Sequence, residues 1–297
     1  MERGLAKAVA VAAAVGLAAA WVIGYPALAP RLARLLHAEW VTPRYSITVF
    51  YMVPVVTDKG TMILIAGALA AAALPIYLYA RRYVKVMERL DDELAELLST
   101  YAGLIASSRS VAEALLMASK VIKPPLNTYV ERMARIYKVT GDLEKAFDEA
   151  FRGAPARVRL LARSIVAASK SGGLVHEVLS AAATHTRESR RLGKLTQSRL
   201  SEYSFVVSLA SLTYAVAAGI VQALVEKVAA GGGFFSSMVS PGLLGGLYFY
   251  SLLVINVASS IVIAKVVHGY TILASKYIML LTAASMLAFL ASPLLIS

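Results

Sequence analysis

Little in this 297-residue chain is suited to bond-making chemistry. It contains four histidines, His37, His176, His185 and His268, and no cysteine. His176 and His185 stand nine residues apart, which on one helix turns them about 180° from each other. A helical metal pair needs a spacing near four, so these two do not form one. Without cysteine there is neither a thiolate metal site nor a disulfide framework. Serines and acids are plentiful, but no nucleophile-elbow pattern presents a serine to a histidine partner. No Gly-x-x-x-x-Gly-Lys-Ser/Thr loop is present to cradle a nucleotide. The residues therefore predict a protein that is not an enzyme and holds no cofactor or metal. Any energy source must belong to a partner.

The elements that carry these residues are set by where charge is missing. Charged side chains vanish over Ala8–Pro30, Gly60–Ala80, Tyr203–Val225, Val228–Ala264 and Tyr277–Ser297. Each run supplies the ~20 apolar residues one helix needs to cross hydrocarbon. Inside lipid the backbone must satisfy its own hydrogen bonds, so such runs read as helices. The first run exceeds the usual ~7–15-residue apolar core of a signal peptide and more spans follow it, so it reads as a span rather than a cleaved leader. The expected fold class is all-α: a polytopic membrane protein of about five transmembrane helices with one antiparallel helical bundle between the second and third.

The net charge of +12 raises the question of nucleic acid, but its distribution argues for topology instead. Residues 81–200 hold 21 Lys/Arg against 13 Asp/Glu, a net of +8. A basic block flanked by spans is the cytoplasmic side by the positive-inside rule, which also places the N-terminus inside. The division expected is 1–80 for spans one and two, 81–200 for the soluble block, and 201–297 for the last three spans. Between the first two spans, Tyr45–Thr57 is an apolar run too short to cross. Its Tyr, Phe and Val content suits an interfacial segment or the start of the second helix, and Pro54 interrupts it. Gly231, Gly232 and Gly233 are expected in an external loop.

The soluble block reads as six helices. Met87, Leu90, Leu94, Leu97, Tyr101 and Leu104 alternate spacings of three and four, one apolar stripe. Ser110 and Glu113 have the spacing of a capping box at the start of the second helix, and Pro124-Pro125 stops it. Leu126 to Tyr137 marks a third helix, ended by Thr140-Gly141-Asp142. A short fourth reaches Gly153, a fifth runs from Pro155 to Lys170, and a sixth follows Ser171-Gly172-Gly173 toward the third span.

The order of these turns, "SVAEAL", a Pro break, "TGDLEKAF", then "ARSIVAASKSGGLVHEVL", resembles the type II secretion F domain. That family comprises the inner-membrane platform proteins of type II secretion systems, type IV pili, tight-adherence pili and archaeal flagella. The resemblance covers roughly Leu90 to Leu200 and the following membrane helix, and Lys170-Ser171-Gly172-Gly173-Leu174 is its most specific part. It implies a platform protein whose cytoplasmic domain meets a secretion or pilus-assembly ATPase and whose spans handle pilin or pseudopilin subunits. One F domain, where many relatives carry two, looks more like the short tight-adherence or archaeal forms. That in turn implies a homo-oligomer or a paralogous platform subunit as completion.

Candidate contact residues follow from position. Turns present polar groups while helices bury their stripes, so Arg109, Glu113, Lys138, Gly141, Asp142, Lys170, Gly172 and Gly173 are expected to face the partner. Arg81, Arg82, Lys85, Arg187, Arg190, Arg191, Lys194 and Arg199 cluster beside the two membrane junctions and are expected to meet anionic lipid headgroups, with an acidic face of an ATPase or a pilin as the alternative. Gly242 and Gly246, four apart at the start of the fourth span, have the spacing that lets helices approach closely. The rival reading, a small-molecule transporter or channel component, is disfavoured because no span carries an interior charge.

Overall fold

The computed structural model describes residues 2–36, 38–107, 110–170, 175–230 and 240–295. Almost all of them are helical. In chain order the elements are α1 (Glu2–Leu36), the strands β1 (Ile47–Phe50) and β2 (Val53–Val56), α2 (Lys59–Ser107), α3 (Val111–Val121), α4 (Leu126–Thr140), α5 (Leu143–Ala150), α6 (Ala156–Ala162), α7 (Ser164–Lys170), α8 (Val175–Ala230), α9 (Pro241–His268) and α10 (Ala274–Ala291). Five of these, α1, α2, α8, α9 and α10, are long and apolar enough to cross a membrane among the described residues. The chain is a multi-pass helical membrane protein.

Two compact units emerge: Met1–Arg81 with Gln197–Ser297, and Arg82–Thr196. In the first, Val56, Met62, Ala66, Ala215, Ala218, Phe249, Leu252, Met286 and Phe289 form a core drawn from β2, α2, α8, α9 and α10. Lipid tails are as apolar as these side chains, so burial alone does not hold such helices together; close packing and interhelical hydrogen bonds must. Asn256 of α9 supplies them. Its amide nitrogen donates to Ser285 Oγ of α10 at 2.6 Å, and its Oδ1 accepts from Ser211 of α8. At one end of these helices Lys59 Nζ lies 3.0 Å from Glu226 Oε1, and Gln222 Nε2 donates to the same carboxylate at 3.0 Å. At the other, His268 bridges Gln197 (3.1 Å) and the Tyr277 hydroxyl (2.9 Å).

The first helix runs beyond the charge-free stretch, through Pro26 and Pro30, to Leu36. The residues beyond Pro30, Arg31 to Leu36, are good helix formers. The chain then folds back: Tyr25 OH donates to Val41 O at 2.7 Å, and Tyr25, Ala29, Ala38, Val41 and Leu64 share a cluster. Trp21 Nε1 donates to Leu64 O at 3.1 Å, tying α1 to α2.

Tyr45–Thr57 is not the start of α2, which begins at Lys59. It forms an antiparallel hairpin with Ile47 opposite Val56 and Phe50 opposite Val53. The turn residues Tyr51 (φ 46°) and Met52 (φ 67°) both adopt left-handed backbone, the conformation a two-residue type I′ turn demands. The helix is unbroken through both junctions between the spans and the soluble block. The second span and the first stripe of the soluble block are a single 49-residue helix, and the sixth soluble helix and third span a single 56-residue one. Arg81–Arg82 and Arg199–Glu202 mark a change of surroundings, but no Gly, Pro or cap at those points stops backbone hydrogen bonding.

The second unit buries the stripe read from the sequence: Met87, Leu90, Leu94, Leu97 and Tyr101 are buried and Leu104 half-buried. Leu115, Leu126, Val130, Met133, Phe147 and Phe151 are buried in the same unit, with the rings of Phe147 and Phe151 stacked at 4.7 Å. The expected fifth helix is interrupted at Arg163, so α6 and α7 are separate pieces.

Candidate functional site

Local capping sets the turns of the second unit. Ser110 Oγ accepts from Glu113 N at 3.2 Å, starting α3. Helix α4 ends on Gly141, whose left-handed backbone (φ 67°) lets its N–H reach Tyr137 O at 2.8 Å. A residue with a Cβ would be strained there, which is why glycine closes the helix. Asp142 immediately begins α5, its Oδ1 accepting from Glu144 N at 3.0 Å and Lys145 N at 3.1 Å.

Packing then brings these turns to one end. Helices α3 and α4 are joined by the short Pro124–Pro125 turn and pack against each other, so the start of α3 and the end of α4 lie together. Lys138 sits in the last turn of α4 and Glu113 in the first of α3. Helix α7 ends beside the start of α5, where Lys170 Nζ donates to Glu144 Oε2 at 2.6 Å. His176 Nδ1 lies 2.9 Å from Ala102 O, placing the start of α8 against the last turns of α2. Glu113, Lys138, Gly141, Asp142 and Lys170 therefore share the end of the unit at which α2 stops. Arg109, Gly172 and Gly173 lie outside the described residues, as do His37 and Gly231–Gly233.

The electrostatics of this end follow from exposed charges held in pairs. Two backbone N–H groups hold the Asp142 carboxyl below its ordinary range, the one from Lys145 contributing most. The Lys170 ammonium does the same for Glu144 through its hydrogen bond. Lys145 and Arg163 extend the pattern, 3.7 Å from Asp142 and Asp148 respectively. Exposed pairs of this kind contribute little stability. They do leave a surface of alternating sign that a charged partner can read. Glu144 was missed in the sequence, and its position in the first turn after an Asp cap was the only signal for it.

A cleft of about 650 Å³ lies in the same unit between α2 and α8, lined by Asp92, Glu96, Arg187, Arg190, Arg191 and Lys194. Arg190, mostly buried, pairs with Asp92, and Lys194 lies 3.8 Å from the same carboxylate. Part of the basic cluster is thus paired within the unit, Arg191 lying 3.9 Å from Glu188, while Arg187 and most of Lys194 remain exposed. Among the described residues no group of three or more His, Cys, Asp or Glu side chains is placed to hold a metal.

The paired glycines sit against a strand. A Cβ on Gly242 would come 3.2 Å from Thr57 Cβ, and one on Gly246 would collide with Val55 Cγ1 and Val56 O. Between them in sequence, Gly245 faces a helix instead, against Gln222 of α8.

The fold thus defines a multi-pass membrane protein carrying a helical bundle with a turn-rich end. Residues 97–223 match the family model for type II secretion system (T2SS), protein F. That stretch takes in the end of α2, all of α3 to α7 and most of α8, and it includes the turn sequences that resemble the F domain. No curated protein and no solved structure matches the chain.

Proposed function

We propose that this chain is the membrane platform subunit of a type IV pilus-like or type II secretion-like machine. In this reading the Arg82–Thr196 unit is cytoplasmic and receives a secretion ATPase, while the spans handle pilin or pseudopilin subunits. The observation that carries the proposal is the F-domain match over residues 97–223, set in a chain with five candidate spans. The net charge of the central block supports its cytoplasmic side. The turn end bearing Glu113, Lys138, Asp142 and Lys170 is the docking face. It combines capped, rigid turns with exposed charges of both signs, which favour orientation and specificity of a charged partner over raw affinity. The chain acts as a scaffold and not an enzyme, and a homo-oligomer or paralogous subunit completes the platform.

The test is co-purification from native membranes with the secretion ATPase of the same cell. Full-length protein should retain the ATPase, and a version lacking Arg82–Thr196 should lose it. Charge reversal at Lys138 and Lys170 together should weaken retention without changing membrane insertion. Equal retention by the deletion would overturn the coupling role.

A further inference from the structure

The β1–β2 hairpin carries no charge between Arg44 and Asp58, yet most of it is uncovered. Tyr51 is 88% and Met52 95% exposed, and Ile47, Val49, Phe50 and Val53 are open as well. Its base is different: Val55 and Val56 are buried, Val56 within the same core as Met62, Phe249 and Leu252 of the spans.

The direction of the strand decides where the tip goes. Thr57 lies against Gly242, and Val55 with Val56 against Gly246. From Gly242 to Gly246 is one turn, about 6 Å along α9. From Thr57 back to Val55 is about 7 Å along the strand. Traced toward its tip, the hairpin therefore advances into the span with α9 instead of projecting past the end of it. The level is marked independently. Lys59 and Glu226 pair at 3.0 Å where the charge-free runs of α2 and α8 end. Gly245 sits on Gln222, one turn inward from Glu226. Gly246, and with it Val55, is thus already inside the charged boundary. The tip lies three residues, about 10 Å, further along β2.

We propose that this hairpin is a bilayer anchor, with Phe50, Tyr51 and Met52 seated among lipids of the leaflet in which α2 begins. The occupant of its apolar surface is lipid, continuous with the lipid around the spans. Backbone polarity limits its depth. Thr57 N donates to Ser46 O at 3.0 Å, which by alternation makes Ile47–Val56 and Val49–Pro54 non-hydrogen-bonded pairs. Ile47 and Val49 then turn their N–H and C=O groups to the outer edge of β1, where no third strand pairs among the described residues. Such groups are costly in hydrocarbon and require headgroups or water. Pro54 has no N–H to leave unpaired on the outer edge of β2. The hairpin accordingly lies at the headgroup–acyl boundary, with side chains reaching below it.

The absence of cysteine makes the test direct. Tyr51→Cys and Met52→Cys, each carrying a nitroxide, are compared in phosphatidylcholine–phosphatidylglycerol nanodiscs with Ile23→Cys on α1 and Val139→Cys on α4. All four sites are well exposed in the protein. The two tip labels should follow Ile23, relaxed more by oxygen than by a water-soluble nickel complex, with the ratio reversed at Val139. Tip labels that follow Val139 would show the hairpin in water and overturn the proposal. Tip labels shielded from both agents would show a protein cover, a second copy included, and overturn it equally.

Discussion

Lys170 Nζ lies 2.6 Å from Glu144 Oε2, joining the last residue of α7 to the first turn of α5 across 26 positions of sequence. Two residues earlier Asp142 caps the same helix start, so one short helix is held by a backbone cap and a side-chain pair at once.

That double hold has a pH signature. Both carboxyls titrate below their ordinary range in the folded protein. A depressed carboxyl stabilises the fold fully above its unfolded pKa, and the contribution fades as pH falls through the folded one. The protection factors of α5 amides, measured against the intrinsic exchange rate at each pH, should therefore be flat near neutrality and fall below the normal carboxylate range. Lys170→Met should shrink the Glu144 part of that fall, leaving the Asp142 part.

Asp142→Ala should expose the amides of Glu144 and Lys145, which lose their acceptor, and speed their exchange at pH 7. Asp142→Asn should restore most of the protection, because asparagine caps as well. Equal exchange in all three proteins would mean that the cap is not formed.

Gly246→Val should push Val55 and Val56 O away from α9. Overpacking of a close contact costs about 1–3 kcal/mol, and here it should appear as a lower melting temperature in detergent. Gly242→Ala, facing Thr57 at 3.2 Å, should cost less.

Asn256→Leu removes the amide that joins Ser211 and Ser285. Interhelical hydrogen bonds in membranes average about 0.6 kcal/mol, with maxima near 1.7. A loss of about 1–2 kcal/mol in denaturation by sodium dodecyl sulfate is expected for both bonds together. Asn256→Gln should be intermediate.

Tyr51→Asn combined with Met52→Gly should stabilise the hairpin, because both positions have left-handed backbone that costs an ordinary residue about 1–2 kcal/mol. The measurement is hydrogen exchange of β1 and β2 amides in the full chain.

Much of this protein is legible in order along the chain. Charge-free runs report the spans because lipid admits only self-satisfied backbone. The caps at Ser110, Gly141 and Asp142 are legible because a cap involves only a few neighbouring residues. The hairpin was hidden for the complementary reason. Its turn is Tyr-Met where Asn-Gly is expected, and an apolar run of this length fits strand or helix equally. Charge at Arg81 and Arg82 marked where surroundings change, which is not where α2 ends.

By itself, then, the sequence determined the number of candidate spans, the helical class of the central unit and the positions of its turns. Each of these depends on local composition and on bonds between near neighbours. Only the tertiary structure decided that Glu144 meets Lys170, that Asn256 links three helices, and that Gly246 receives a strand. Those pairings join residues far apart in the chain, and it is the packing of helices and hairpin, not any spacing between letters, that brings their atoms into reach.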